Sequence, residues 1–392
     1  MKRIGLYLGF PPEGGGAFQY AQSVLSALLA LPDAEYQIVV AYSHPAWGSR
    51  LEGCASHVER IRDHEGFVDM GVKAALRFGF PLPPWRMVAK YIHPLTRRMR
   101  AAACDLWVFP AQDIWTYAIP VPAVGVVHDL MHRYEPRFPE VSAFGLFRRR
   151  ERHYRRLCRH ALAMLVDSDV GKRQLVESYA PDSERVHVLP YIAPAYMHTA
   201  TTAFGFDGRY RLPEEFIFYP AQFWEHKNHV RLLEAMAMLR PQFPDLYLVF
   251  AGSAKNGYGR ALETIDRLGL GDRVVLTGYV PDEDMPEFYR RANAMVMPTF
   301  FGPTNIPPLE AMVVGCPLAV SNIYAMPDQV GDAALLFDPA SIDEIAGAIR
   351  RLATDSELRQ RLATKGRERA GRWGQTQFNN RLAAIIGTIL RQ

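Results

Sequence analysis

The sequence predicts an α/β fold made of two tandem Rossmann-like domains, and three observations carry that reading. The chain has 392 residues, 49% of them hydrophobic, which is material for two buried cores at roughly 100–200 residues per domain. Short apolar runs alternate with stretches of helical period, the pattern of a parallel sheet covered on both faces. A polar, glycine-containing stretch with no clear period runs from Pro194 to Arg211, after which the same alternation restarts.

Ile4 to Leu8 is an apolar run broken by Gly9, Pro11, Pro12 and the Gly14, Gly15, Gly16 cluster. Tyr20, Val24, Leu25, Leu28 and Leu29 then recur at helical spacing, giving strand, glycine loop and helix. Gln37 to Tyr42, Asp105 to Phe109, Val121 to Val127 and a run from Met164 continue the set. Between Glu65 and Ala103 the alternation fails, and GFPLPPWRMVAKYIHPLTRRMR reads as an exposed amphipathic excursion suited to a partner. The basic block FRRRERHYRRLCRH, from Phe147 to His160, is helical in composition; it is a solvated helix face or a contact for a membrane or polyanion.

In the second half, strands are expected at Phe216 to Tyr219, Leu246 to Ala251, Val274 to Leu276 and Ala294 to Met297, separated by helices. Ser341 with Glu344, and Thr354 with Glu357, have the spacing of capping boxes. The domains are therefore expected at 1–195 and 212–374, with a last amphipathic helix over 375–392 that packs back on the first domain.

Several classes of function are excluded. Forty-five Lys plus Arg against 41 Asp plus Glu leave a formal charge of +4, too small a surplus for a dedicated nucleic-acid binder. Cys54, Cys104, Cys158 and Cys316 stand far apart, which gives neither a metal knuckle nor a disulfide scaffold and suits a reducing cytoplasm. No apolar stretch approaches the ~20 residues of a spanning helix, so the chain reads as neither secreted nor integral to a membrane. Asp167 and Asp169, like Asp282 and Asp284, precede expected helices and read as helix-start acids, not as metal ligands.

Strand-end positions supply the candidate site residues, because ligands of open parallel sheets gather at the carboxyl ends of the strands. Gly15 and Gly16 follow the first strand and open a helix, where bare backbone N–H groups can approach an anion, or simply make a tight turn. His128, with Asp129, follows the strand ending at Val127. Lys227 lies between a strand and a helix, where its ammonium can meet a phosphate. The stretch MPTFFGPTNIPPLEAM sets a turn before a helix that carries Glu310, whose carboxylate can accept hydrogen bonds from sugar hydroxyls or favour the helix dipole.

Taken in order, GGG-x3-Tyr, His-Asp, Lys-Asn and P-P-L-E-A-M-x2-G-x-P resemble the retaining glycosyltransferases of family 4, which have the GT-B fold of two Rossmann-like domains with an interdomain cleft. The likeness covers nearly the whole chain and is most specific from Ile306 to Ile349. It implies that Gly15 and Gly16 approach the donor diphosphate, that His128 sits beside the transferred sugar, that Lys227 holds the diphosphate and that Glu310 holds the ribose. It further implies a phosphate-binding turn at the amides of Thr304, Asn305 and Ile306, and a wall for the nucleotide base at Gly278, Tyr279 and Val280.

Two departures stand out. Many relatives have a Glu-x7-Glu pattern whose earlier position is Gly302 here, and an arginine often found before the lysine is replaced by Gln222. The FGPTN version resembles members that build bacterial surface polysaccharides. The resemblance thus implies transfer of a hexose, mannose or a rhamnose-like sugar, from a nucleotide sugar such as GDP-mannose to a lipid-linked oligosaccharide or polysaccharide of O-antigen, capsule or exopolysaccharide. Neither metal, cofactor nor nucleic acid is expected, and the chain is expected in the cytoplasm at the inner face of the membrane, where the segment Phe78 to Arg100 and the arginines from Arg148 to Arg159 can make peripheral contact with anionic lipid. The alternatives are a GT-B epimerase or sugar-nucleotide hydrolase, and a nucleotide-sugar-binding protein that lost catalysis.

Overall fold

The computed structural model describes residues 1–10, 15–52, 58–64, 66–198 and 205–391; Gly14 and Cys54 lie outside these. The chain divides into two compact units. One comprises Met1–Leu130, Phe144–Pro190 and Gln375–Gln392, the other Met131–Ala143 and Tyr191–Gly374.

The first unit is built on seven strands, β1 (Lys2–Leu8), β2 (Tyr36–Tyr42), β3 (Glu59–Arg62), β4 (Leu106–Val108), β5 (Ala123–Val127), β6 (Ala163–Val166) and β7 (Val186–Val188). They lie in the order β3-β2-β1-β4-β5-β6-β7, and every pairing is parallel. The second unit has six, β8 (Phe216–Pro220), β9 (Tyr247–Ala251), β10 (Val274–Gly278), β11 (Ala294–Met297), β12 (Leu318–Ser321) and β13 (Ala334–Phe337). Their order, β10-β9-β8-β11-β12-β13, is also parallel throughout. Central strands such as β5 and β11 are buried along their whole length, which is why they read as unbroken apolar runs. Each sheet grows outward in both directions from its first strand, so each has a switch point, between β1 and β4 and between β8 and β11, where a crevice opens at the strand ends.

Four details differ from the sequence reading. β3, ERIR, is an edge strand with charged residues facing solvent, and so carries no apolar signal. The 65–103 excursion folds as three helices, Phe67–Phe78, Leu82–Ile92 and Pro94–Ala101. Thr354 ends one helix by donating its hydroxyl to the Arg350 carbonyl, and Asp355 caps the next by accepting the Leu358 amide at 2.8 Å. Finally, Met131–Ala143, which the sequence reading leaves in the first domain, groups with the second, because Phe138 and Val141 pack with Phe300 and Phe301 there. The Ser341 cap is present, its hydroxyl accepting the Glu344 amide at 3.2 Å. The terminal helix Gln375–Ile389 packs within the first unit, where Phe378 meets Tyr20 edge-on at 6.1 Å between centroids.

Candidate functional site

The second unit's switch point is where Lys227 and the turn before Glu310 come together. β8 ends at Pro220, and the chain runs through a single 3₁₀ turn, Glu225–Lys227, into the helix His229–Leu239. Asn228 makes that turn possible, since it adopts a left-handed φ of 62°, which asparagine tolerates better than most residues. Its amide donates to the carbonyls of Pro298 at 2.9 Å and Pro339 at 2.8 Å, tying the segment after β8 to those that follow β11 and β13. The Tyr219 hydroxyl donates to the Lys227 carbonyl at 2.8 Å, and Phe300 N donates to the His226 carbonyl at 2.8 Å. With its backbone so held, Lys227 Nζ donates across the switch point to Asn305 Oδ1 at 3.1 Å.

Asn305 begins the helix Ile306–Val314. The sequence reading assigns its amide to phosphate; in the structure Asn305 N–H donates to Gln329 Oε1 at 3.0 Å, while Gln329 Nε2 donates back to the Asn305 carbonyl at 2.6 Å. Pro307 and Pro308 carry no N–H at all, so this helix start offers fewer main-chain donors than the usual four. The amide of Ile306 is the first helical donor. Gly302 has φ 135°, and a Cβ placed there would stand 2.4 Å from Asn305 Nδ2; the asparagine side chain fills the space that a larger residue at 302 would need.

Glu310 lies one helical turn further in, 4% exposed. Both of its carboxylate oxygens are occupied, Oε1 by the Tyr196 hydroxyl at 2.6 Å and Oε2 by the Tyr289 hydroxyl at 2.5 Å. Burial pushes the Glu310 carboxyl above its ordinary range, and the two phenol hydrogen bonds pull it back. Burial and the neighbouring Glu310 raise the Tyr196 phenol, and Tyr279 and Asp282 lie near enough to add to the effect. Gly278 takes φ 68° at the end of β10, Tyr279 is exposed and Val280 is buried.

Gly15 and His128 belong to the first unit's rim. Gly15 precedes the helix Gly16–Leu29 with φ 60°, and its carbonyl accepts the amides of Phe18 and Gln19 at 2.9 and 3.1 Å. His128 follows β5 and stands edge-on to Tyr20, ring centroids 5.3 Å apart. Burial lowers the imidazole to about 4, against the opposing pull of Asp129 and a hydrogen bond to the Pro110 carbonyl, so it is neutral at pH 7. Asp129 itself pairs with Arg150 of the helix Leu146–His160. Cys104, Cys158 and Cys316 are buried thiols, each pushed up to about 12 mainly by burial, and are inert.

Sequence reasoning missed Tyr196, Tyr289 and Glu140. The two tyrosines carry no motif of their own. Glu140 accepts the His226 amide at 3.1 Å, His226 Nδ1 at 2.7 Å and Asn256 Nδ2 at 2.9 Å, and so anchors the turn that presents Lys227. Lys255 was also passed over; its ammonium lies 5.4 Å from the Trp224 ring centroid, and the Trp224 indole donates to Gln222 at 2.9 Å. Among the described residues no cluster of His, Cys, Asp and Glu has the makings of a metal site, and no helix is long and apolar enough to cross a membrane.

Two parallel sheets with these strand orders, each with its switch point, define the Rossmann-like α/β architecture of the GT-B glycosyltransferases. Residues 206–369 match the family described as glycosyl transferases group 1. Over 144 residues the chain is 33% identical to the O-antigen chain mannosyltransferase B of Escherichia coli, covering 36% of this chain and 37% of that protein. The chain spans about a third of the length of the first curated relatives it matches. Among solved structures, sucrose-phosphate synthase from Thermosynechococcus elongatus superposes with a TM-score of 0.75 at 17% identity over 100% of both chains. HepE of Anabaena, in complex with UDP-glucose, gives a TM-score of 0.73 at 17% identity, over 99% of this chain and 100% of that one.

Proposed function

We propose that this protein is a retaining glycosyltransferase that moves a hexose, mannose first among the candidates, from a nucleotide diphosphate sugar to a lipid-linked glycan acceptor of a bacterial cell-surface polysaccharide. The observation that carries the reading is the Lys227–Asn305 contact across the second switch point, with Glu310 held in place one helical turn away. Matching relatives described as mannosyltransferases support the sugar, and a structural neighbour described in complex with UDP-glucose supports the donor class.

In this reading Lys227 and the Ile306 amide take the diphosphate, Glu310 the ribose, and the 278–280 turn the base. The demanding event is departure of the sugar with oxocarbenium character, so fixed donors aimed at the charge developing on the diphosphate supply most of the acceleration. Because Lys227 is already oriented by Asn305, little reorganisation is needed when that charge forms. With an ammonium in this role, transfer should proceed at an unchanged rate in the presence of EDTA. The acceptor hydroxyl attacks the anomeric carbon on the face from which the diphosphate departs, which retains the configuration; its proton passes to the departing phosphate oxygen, and neutral His128 orients the sugar by hydrogen bonding without taking it. The protein works at the cytoplasmic face of the membrane.

A thermal-shift screen against GDP, UDP, dTDP and ADP sugars identifies the donor, since a ligand bound only by the native state raises its melting temperature. Release of nucleoside diphosphate is then followed with and without a lipid-linked glycan. Release that needs the acceptor is the expected result. Release without it identifies a hydrolase or epimerase, and binding without release identifies a protein that lost catalysis; either overturns the transferase reading.

A further inference from the structure

The first unit contains a cavity of about 170 Å³ between the end of the helix Phe67–Phe78 and the helix Leu146–His160, and its walls are strongly cationic. Arg149, Arg152 and Arg156 recur at i, i+3 and i+7, so one helix face presents all three, and Arg77 faces them from the other helix. Gln112, Tyr117, Arg150, His153 and Tyr154 complete the polar lining, and none of the described lining residues is a carboxylate.

Not every arginine of the block does the same work. Arg150 is paired with Asp129 and Arg155 with Glu151, which makes them structural. Arg152 donates to the Arg77 carbonyl at 2.8 Å, and Arg156 to the carbonyls of Leu76 at 3.0 Å and Phe80 at 2.8 Å. Those contacts use one and two of the five N–H donors that each guanidinium carries, and they fix its plane at the cavity wall. Gly79 permits the approach, with φ 106° and Arg152 Nη1 only 2.9 Å from where a Cβ would stand. Among the described residues no carboxylate pairs with Arg77 or Arg149, and burial together with the nearby Arg77 and Arg150 charges weakens the hold of Arg149 on its proton. Like charges gathered without a counterion cost stability, and planar guanidiniums match phosphate oxygens in pairs.

The segment that carries Arg77 continues into apolar surface. Phe78 is 91% exposed, and Phe80, Met87 and Tyr91 of the following segment are exposed as well. Exposed apolar residues on one segment mark an interaction site more often than plain surface. A cationic cavity beside them suits an amphiphile with a phosphate head.

We propose that the Arg77–Arg149–Arg152–Arg156 cavity binds the phosphate ester of the acceptor lipid, with Phe78, Phe80, Met87 and Tyr91 lying against its hydrocarbon chain. This rests on the lipid-linked acceptor proposed above and gives that acceptor a site. Isothermal titration of the full chain with farnesyl phosphate, farnesol and inorganic phosphate tests it. Farnesyl phosphate is expected to bind at least tenfold more tightly than either fragment, and Arg77→Gln/Arg149→Gln to raise its Kd at least tenfold. Farnesyl phosphate bound no more tightly than farnesol shows apolar contact alone, and bound no more tightly than inorganic phosphate shows a free-anion site. Either result, or unchanged binding in the double variant, overturns the proposal. The first three arms need no variant and so do not depend on its folding. Titration needs no sugar donor, so a chain that binds farnesyl phosphate as expected but transfers nothing refutes the transferase reading and leaves a prenyl-phosphate site with no acceptor role.

Discussion

The two units share a strand order around their switch points, yet they hold their charged side chains differently. In the C-terminal unit the site residues are bonded to one another: Lys227 to Asn305, and Glu310 to Tyr196 and Tyr289. In the N-terminal unit Arg152 and Arg156 are bonded to main-chain carbonyls, and with Arg77 and Arg149 they line a cavity without a carboxylate among its described lining residues. The difference teaches how each surface is used. A rim whose side chains are already paired holds a ligand of one geometry at low reorganisation cost, whereas a cavity of oriented but uncompensated cations waits for an anion.

The strongest break of this comparison is Lys227→Ala. If the C-terminal rim stabilises the leaving diphosphate, kcat with the nucleotide sugar falls by about 10²–10³-fold, the usual cost of losing one preorganised donor to developing charge. Steady-state rates against donor concentration check it. An unchanged kcat would move the diphosphate elsewhere.

Gly302→Glu, which adds a carboxylate at this turn, should come next. With φ at 135° and Asn305 Nδ2 at 2.4 Å from the new Cβ, the substitution strains the backbone and displaces Asn305 from Lys227. A loss on the order of 2–3 kcal/mol is expected, seen as a drop of roughly 5–10 °C in Tm by calorimetry. A variant as stable as the parent would show that the turn repacks freely.

How much of this was legible in the sequence depends on the reach of each interaction. Strands buried on both faces announce themselves as apolar runs, and β1, β5, β8 and β11 were readable for that reason. β3 was not, because an edge strand of alternating charge looks like a loop. Lys227, Gly302 and Glu310 stand in local patterns of turn and helix start, so their candidacy needed only neighbours in the chain. The partners that complete them are remote: Asn305 is 78 residues from Lys227, and Tyr196 is 114 from Glu310. Likewise, the basic block could not be divided into structural and ligand-facing arginines until the end of the Phe67–Phe78 helix was placed against it.

Glu140→Gln sharpens the comparison through pH. Burial raises the Glu140 carboxyl, but hydrogen bonds from His226, Asn256 and main-chain amides outweigh it and hold the group at about 2, below its usual 4.5. A carboxyl depressed on folding adds stability that is complete above the unfolded value and is lost as pH falls from about 4.5 towards 2. The contribution is on the order of 1–2 kcal/mol after allowance for screening. Glu140→Gln should therefore lower Tm at pH 7 and flatten its fall between those two pH values. An equally steep acid transition in the variant would assign it to other groups.

The smallest effect is expected for Tyr196→Phe, which leaves one Glu310 oxygen without its hydroxyl. The loss of about 1 kcal/mol should raise the donor Kd several-fold with little change in kcat, measured by titration and steady-state kinetics. A change in kcat alone would give Tyr196 a part in the chemical step.

The most direct measurement is a crystal structure of the full chain with GDP-mannose bound. The account predicts the diphosphate within hydrogen-bonding distance of Lys227 Nζ and the ribose hydroxyls on Glu310. A diphosphate bound away from Lys227, with Glu310 still closed by its two tyrosines alone, would contradict it.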